Sequence, residues 1–179
     1  MSDKLTVIYL GFLLALLLLA VIFVFRQVLK TRQIESTIAK LQDKLKQNKG
    51  TAQDFYQLGS LYLDKKLFVQ SVKLLQQALK QADKASEAIE PQNKALILNA
   101  LGYAYFAQEQ YDLAIRQYKE ALKLNEEYPV ALNNLANAYE RKQLVAQALE
   151  TYEKTLKIEP KNSTAKRRAE SLRKRFVSP

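Results

Sequence analysis

The sequence predicts an all-α protein in which one membrane-spanning helix precedes a small helical repeat domain. Residues 5–25 contain no charged side chain, which is typical of a membrane span. The remainder of the chain places apolar residues at helical spacing, and its pattern recurs after 43 and again after 34 residues. Only four glycines and four prolines are present, and the alternation typical of strands is missing.

The composition argues against most catalytic chemistry. The 179 residues include no cysteine and no histidine, which excludes disulfides, thiolate nucleophiles and histidine metal sites. The four glycines stand too far apart to form a phosphate-binding loop. We therefore predict that the protein is not an enzyme and that it has no metal site and no cofactor.

Residues 1–28 are predicted to form a transmembrane anchor. The apolar run from Leu5 to Phe25 would span about 31 Å as a helix, close to the ~30 Å hydrocarbon core of a bilayer. A cleaved signal peptide is the alternative, but the run is longer than a usual signal core and lacks a small-x-small cleavage site. Basic residues, including Arg26 and Lys30, are more numerous after the span than before it. This asymmetry predicts that the C-terminal part lies on the cytoplasmic side.

Residues 29–50 are predicted to form an amphipathic helical stalk. Ile34, Ile38, Leu41 and Leu45 recur at helical spacing and make one apolar stripe. The stripe suits three structures: a homodimeric coiled coil, a helix packed on the first repeat, or a helix lying on anionic lipid. Fewer than two heptads are present, so we favour packing on the first repeat.

Residues 52–162 are predicted to form three units, each a pair of helices. The small residues Gly59, Gly102 and Ala136 align the first helices, which need a close approach to the second helix at that point. The units cover residues 52–85, 95–128 and 129–162, with an insertion at 86–94. We expect the insertion to lengthen the second helix of the first unit, ending before Pro91; the alternative is a protrusion with a function of its own.

This repeat pattern resembles the tetratricopeptide repeat (TPR), a family of α-solenoids. The resemblance implies a concave groove lined by Tyr56, Ser60, Leu63, Leu96, Asn99, Tyr103, Phe106, Asn133, Asn137 and Arg141. Asparagine amides can both donate to and accept from a peptide backbone, which suits a protein-binding groove. The alternative is that the asparagines are merely solvated and that the aromatic residues contact the stalk or the C-terminal helix. The clamp that chaperone-binding repeats use for a C-terminal carboxylate is absent, because Tyr56 and Ser60 occupy its positions in the first repeat.

Residues 163–179 are predicted to form a basic capping helix. Ala165, Ala169, Leu172 and Phe176 form its buried stripe. The basic side chains expected on its outer face are Lys166, Arg167, Arg168, Arg173, Lys174 and Arg175. Either they are simply solvated, or they contact an anionic membrane or an acidic protein. Nucleic-acid binding is not predicted, because the segment offers one aromatic residue for stacking.

The whole chain resembles a narrower family, the small, singly anchored TPR proteins of cyanobacteria and red-algal plastids involved in photosystem I assembly. The motifs that carry this resemblance are Leu-Asn-Ala-Leu-Gly-Tyr-Ala-Tyr at 98–105 and Ala-Leu-Asn-Asn-Leu-Ala-Asn-Ala-Tyr at 131–139. The resemblance implies a thylakoid location, repeats on the stromal or cytoplasmic side, and binding of photosystem I subunits or assembly factors. A general bacterial membrane-anchored adaptor for another envelope or cytochrome complex would share the same physical features.

Overall fold

The computed structural model describes the backbone of residues 2–84 and 90–177, with side chains for 9–84 and 90–174. These ranges contain eight helices and no strand. The helices are α1 (Ser2–Lys46), α2 (Ala52–Asp64), α3 (Phe68–Lys84), α4 (Pro91–Ala107), α5 (Tyr111–Leu124), α6 (Pro129–Arg141), α7 (Val145–Ile158) and α8 (Ser163–Val177). The predicted all-α class is confirmed.

The first helix is long and apolar. It runs without a break from Ser2 to Lys46, so the predicted anchor and most of the predicted stalk belong to one helix. Within the described residues, one helix segment, Tyr9–Lys46, contains a stretch long and apolar enough to cross a membrane, and the most apolar 18 residues of it have a mean hydropathy of 2.6. Such a helix pairs its backbone N–H and C=O groups internally, as a membrane span must, because lipid tails form no hydrogen bonds with them. Residues 1–43 form one unit and residues 44–179 form another. The packing of the stalk on the first repeat stays a prediction.

The second unit contains three helical hairpins, α2–α3, α4–α5 and α6–α7. Each hairpin turns through a residue in the left-handed backbone region, and Lys66, Glu109 and Gln143 have the same φ of 59°. They occupy the same position in each repeat, seven residues after the small residue that aligns the units. After the first of them, the N–H of Leu67 donates to the carbonyl of Tyr62 at 2.8 Å. Equivalent bonds close the other two turns, so the three hairpins share one turn geometry.

The extra residues of the first repeat lengthen two helices rather than one. α3 has 17 residues where α5 and α7 have 14, and α4 has 17 where α2 and α6 have 13. α4 begins at Pro91, inside the predicted insertion, because proline at the first helical position loses no hydrogen bond. An ion pair of 2.7 Å between Lys94 and Asp83 joins the two lengthened ends. Residues 85–89 of this region lie outside the described part of the chain.

The core fills the spaces between helices with small residues facing large ones. Gly59 lies against Leu75, and Gly102 lies against Tyr118. Tyr118 is 1% exposed and belongs to a cluster that extends through α6 and α7 to α8, so it joins successive hairpins. A hairpin cannot bury its apolar face alone, and stacking therefore stabilises the whole array.

The last helix, α8, closes the stack. Ala165, Ala169 and Leu172 are buried in the same cluster as the third hairpin, as the predicted stripe requires. The fourth residue of that stripe, Phe176, lies outside the described side chains. The stripe covers the apolar end of the repeats, which is the usual role of a terminal cap.

Thr51 and Asp54 form a capping box at the start of α2. The Asp54 N–H donates to Thr51 Oγ1, the Thr51 N–H donates to Asp54 Oδ2 at 2.8 Å, and Lys44 Nζ donates to Asp54 Oδ1 at 2.8 Å. Burial alone would raise the pKa of Asp54, but the hydrogen bonds from Lys44 and Thr51 outweigh it and lower the pKa. Replacing Thr51 with alanine should therefore lower the free energy of unfolding by about 1 kcal/mol.

The same box should make stability depend on acid pH. Because the folded pKa of Asp54 is lowered, its contribution is complete above the unfolded pKa of about 4 and is lost as pH falls through the folded value. Denaturant unfolding at neutral and strongly acid pH should show Asp54→Asn destabilising only at neutral pH. Asp112→Asn is the matched control: it removes a carboxylate from the first turn of α5 that forms only an exposed ion pair with Lys142, so stability should change little at either pH. An equal loss for Asp54→Asn at both pH values would contradict the prediction.

Candidate functional site

The first helices of the three repeats share one side of the stack. α2 contacts α4, and α4 contacts α6, while each second helix contacts its own first helix and the next one along the chain. The TPR resemblance predicts that the side formed by α2, α4 and α6 is the concave groove. The ten predicted groove residues belong to these three helices, and their role in binding stays a prediction.

α4 contributes an exposed apolar surface. Leu96, Asn99, Tyr103 and Phe106 follow one another at spacings of three, four and three residues, which places them on one helix face. Leu96 is 38% exposed and Tyr103 is 45% exposed. Phe106 is half-buried, and its ring meets Tyr111 edge-on with the ring centroids 5.4 Å apart. We call Leu96 and Tyr103 the apolar ridge.

The predicted residues on α2 are less open. Tyr56 and Leu63 are half-buried and pack against the core cluster that contains Leu75 and Ile97. Ser60, between them on the helix, is also half-buried. These side chains therefore stabilise the junction of the first two repeats and offer a partner only part of their surface.

A chain of amide groups connects α4 to α6. Asn134 Nδ2 donates to Asn99 Oδ1 at 3.0 Å, and Asn99 Nδ2 donates to Tyr128 Oη at 3.4 Å. Burial raises the pKa of Tyr128. Asn134 is missing from the sequence-based prediction, although its place beside Asn133 in the Asn-Asn pair is a signal for it.

Asn133 connects α6 to α8. Its Nδ2 donates to Asn162 Oδ1 at 3.2 Å, and the same Asn162 oxygen accepts the N–H of Ala165 at 2.9 Å in the first turn of α8. Asn133 Oδ1 is buried and has no hydrogen-bond partner within the described residues. Asn99 and Asn133 therefore support the fold, so arginines are cleaner probes of binding at the predicted groove.

A polar cavity of about 580 Å³ lies between α6, α7 and α8. Its lining residues are Asn133, Asn134, Asn137, Glu140, Arg141, Tyr152, Thr164, Arg167 and Arg168. We call it the polar pocket. It brings the predicted groove residues of α6 together with Arg167 and Arg168, which the sequence placed on the outer face of α8. Three guanidinium groups face one carboxylate here, so the pocket carries a net positive charge.

One carboxylate, that of Glu140, organises the buried part of the polar pocket. Arg168 Nε donates to Glu140 Oε1 at 2.9 Å, and Arg168 Nη2 also contacts Oε2. The Tyr152 hydroxyl donates to Oε1 at 2.8 Å. Burial raises the pKa of Tyr152, and the Glu140 carboxylate raises it further. The hydrogen bonds to Glu140 likewise raise the pKa of Arg168.

The other basic residues of α8 have varied surroundings. Lys166 and Lys174 are exposed, and Arg173 forms an exposed ion pair with Glu153 at 2.7 Å. Arg175 lies outside the described side chains. The sequence-based prediction missed Glu140, Tyr152 and Thr164. The sequence does contain a signal for Glu140: it is a carboxylate at the repeat position where the second unit has a phenylalanine.

Comparisons with known proteins identify the family. Residues 102–143 match the TPR repeat family, and residues 129–162 match the tetratricopeptide repeat family. The protein ycf37 of Cyanophora paradoxa is 35% identical over 168 residues, which cover 94% of this chain and 95% of that protein. The chain belongs to the ycf37 family. The predicted membership of a plastid and cyanobacterial type of TPR protein is thus confirmed.

One further relative and one solved structure extend the comparison beyond ycf37. The chloroplastic TPR domain-containing protein PYG7 of Arabidopsis thaliana is 34% identical over 167 residues, which cover 93% of this chain. The match covers 54% of PYG7, so this ycf37-family chain corresponds to about half of the plant protein. Among solved structures, MamA superposes with a TM-score of 0.72 at 22% identity, over 82% of this chain and 81% of its own. That similarity supports the fold.

Proposed function

We propose that this chain is a membrane-tethered TPR adaptor that holds protein subunits while photosystem I is assembled or stabilised. The near full-length match to ycf37 carries the proposal, because the fold alone would suit any membrane-anchored adaptor. The chloroplastic relative PYG7 supports a photosynthetic membrane as the location. The resemblance of the sequence to photosystem I assembly proteins is the reason for proposing photosystem I as the complex.

The chemistry of the polar pocket favours binding over catalysis. Its polar groups are guanidiniums, amides, hydroxyls and one carboxylate, and that carboxylate is already bonded to Arg168 and Tyr152. A tyrosine hydroxyl is protonated at neutral pH, and burial raises the pKa of Tyr152 further, so this group is a poor general base. These groups suit recognition of another protein rather than proton transfer.

We place the repeats on the stromal or cytoplasmic side of the thylakoid membrane. The apolar part of α1 would span the bilayer, and Arg26 and Lys30 follow it on the side where basic residues are retained. Tethering raises the effective concentration of the repeats near membrane complexes, so even modest affinity for each subunit would suffice.

Deleting the gene in a photosynthetic host should lower the ratio of photosystem I to photosystem II, because photosystem I subunits would lack their adaptor. The ratio is measured from the photo-oxidisable photosystem I reaction centre and from photosystem II fluorescence, in low and high light. Complementation with the full chain should restore the ratio, and a chain lacking residues 2–28 should restore it less. An unchanged ratio under high light would contradict the photosystem I assignment.

A further inference from the structure

We infer that the polar pocket binds a carboxylate of an acidic segment in the partner protein, while the apolar ridge receives an apolar side chain of the same segment. This inference rests on the proposed function as a protein-binding adaptor. It adds the chemistry of the partner: an extended segment in which an acidic residue lies close to an apolar one. Arg141 and Arg167 are the groups that hold the carboxylate.

The unneutralised charge of the pocket lies on two arginines. Glu140 is bonded to Arg168 and Tyr152, so it neutralises Arg168. Arg141 and Arg167 are exposed and make no ion pair with the described residues. A guanidinium offers a planar fork of donors that matches a carboxylate in two parallel hydrogen bonds. Because one arginine belongs to α6 and the other to α8, they can approach a carboxylate from two sides.

The surroundings of the two arginines favour a peptide over a lipid headgroup. Asn137 also lines the pocket, and its amide can both donate to and accept from a peptide backbone. A phospholipid headgroup has no backbone amides to use this pairing. The arginines line a cavity rather than a flat basic face, and lipid surfaces attract clusters of basic residues instead.

The apolar ridge lies on the helix next to the pocket. The bond of 3.0 Å between Asn134, which lines the pocket, and Asn99, which lies between Leu96 and Tyr103 on α4, joins the two surfaces. Axes of packed helices are about 8–10 Å apart, and an extended chain advances about 3.3 Å per residue. The apolar residue of the partner should therefore lie about three positions from the acidic one.

Peptide display on the full chain tests the inference without requiring that the partner be identified first. The protein is reconstituted in phosphatidylcholine nanodiscs and used to select from a library of short random peptides. The wild-type chain should enrich peptides with Asp or Glu about three positions from a large apolar residue. The double variant Arg141→Gln/Arg167→Gln should lose the acidic preference, and Leu96→Ser/Tyr103→Ser should lose the apolar one.

Affinities measured by fluorescence anisotropy make the result quantitative. The best-enriched peptide should bind the Arg141→Gln/Arg167→Gln variant at least about tenfold more weakly, because each arginine forms a charge-assisted contact. Lys166→Gln is the matched control, since Lys166 is an exposed neighbour of Arg167 that does not line the pocket. It should bind as the wild type does. The melting temperatures of the Arg141→Gln/Arg167→Gln and Lys166→Gln variants should be unchanged, because these three side chains are exposed. Leu96→Ser/Tyr103→Ser should lower the melting temperature somewhat, because Leu96 and Tyr103 are partly buried.

Three results would overturn the inference. The first is enrichment of peptides that lack acidic residues, and the second is unchanged affinity in the double arginine variant. The third is loss of peptide binding when the wild-type chain, but not the double arginine variant, is placed in phosphatidylglycerol nanodiscs. That result would make a lipid headgroup the occupant of the pocket. The first two would leave the adaptor function intact, because that function is judged separately by the photosystem ratio in the deletion strain.

Discussion

Replacing Gly102 with valine should lower the free energy of unfolding of the repeat domain by about 3 kcal/mol. A Cβ atom at this position would lie 2.6 Å from Cε1 and 2.7 Å from Cδ1 of Tyr118. The Tyr118 ring is 1% exposed and enclosed by the central cluster, so it has no free space into which it can turn. The helices α4 and α5 would have to separate, and cores resist such overpacking.

The chain offers matched controls for this substitution. Gly11→Val adds the same atoms to α1, where no described atom beyond the adjacent residues and the local helix backbone lies within 4 Å of the new Cβ, and should leave the unfolding transition of the repeat domain unchanged. Gly102→Val combined with Tyr118→Leu should recover part of the lost stability, because the first repeat pairs Gly59 with Leu75 in the same place. Thermal unfolding followed by circular dichroism measures all of these changes. A Gly102→Val protein that melts like the wild type would show that α4 and α5 are not closely packed here.

The repeat architecture could be predicted because it is determined by local constraints. The close approach at Gly102 and the large side chain at Tyr118 must recur in every hairpin, so the requirement is visible in the spacing of residues. The turns are similar: Lys66, Glu109 and Gln143 share one backbone conformation because each hairpin has the same length between its helices. Repetition in the sequence thus translates directly into repetition in the fold.

The division of the inserted residues could not be predicted in the same way. The sequence favoured one lengthened helix, because residues 70–88 consist mainly of strong helix formers. The structure instead begins α4 at Pro91 and lengthens both helices. Proline ends a preceding helix but also suits a helix start, and the sequence alone does not decide between these two effects.

The polar pocket depends on contacts between residues that are far apart in the chain. Arg168 and Glu140 are separated by 28 residues, and Asn134 and Asn99 by 35. The sequence correctly predicts a buried stripe on α8. The stripe alone does not determine whether the flanking arginines face α6. A small rotation of α8 decides whether Arg167 and Arg168 face solvent or the groove. This is why the groove residues and the basic residues looked like separate surfaces.

Replacing Glu140 with alanine should lower the free energy of unfolding by about 2 kcal/mol, because Arg168 and the buried Tyr152 hydroxyl lose their acceptor. The Glu140 side chain is 9% exposed, while that of Arg168 is 41% exposed, so water compensates part of the loss. Tyr152 is 1% exposed, so water compensates its hydroxyl less. Chemical denaturation measures the change, and an unaltered midpoint would contradict it. Tyr152→Phe should cost less, since it removes a donor and leaves the ion pair intact.

Glu140→Gln separates the structural role of this carboxylate from its effect on binding. The glutamine still accepts from Tyr152, so stability should fall less than in Glu140→Ala. Arg168, however, loses its counter-charge and becomes a third unneutralised guanidinium in the polar pocket. The affinity for the selected acidic peptide should therefore rise while stability falls. A general loosening of the pocket would lower both quantities, so a fall in affinity would show that Glu140 acts by positioning the pocket rather than by neutralising it.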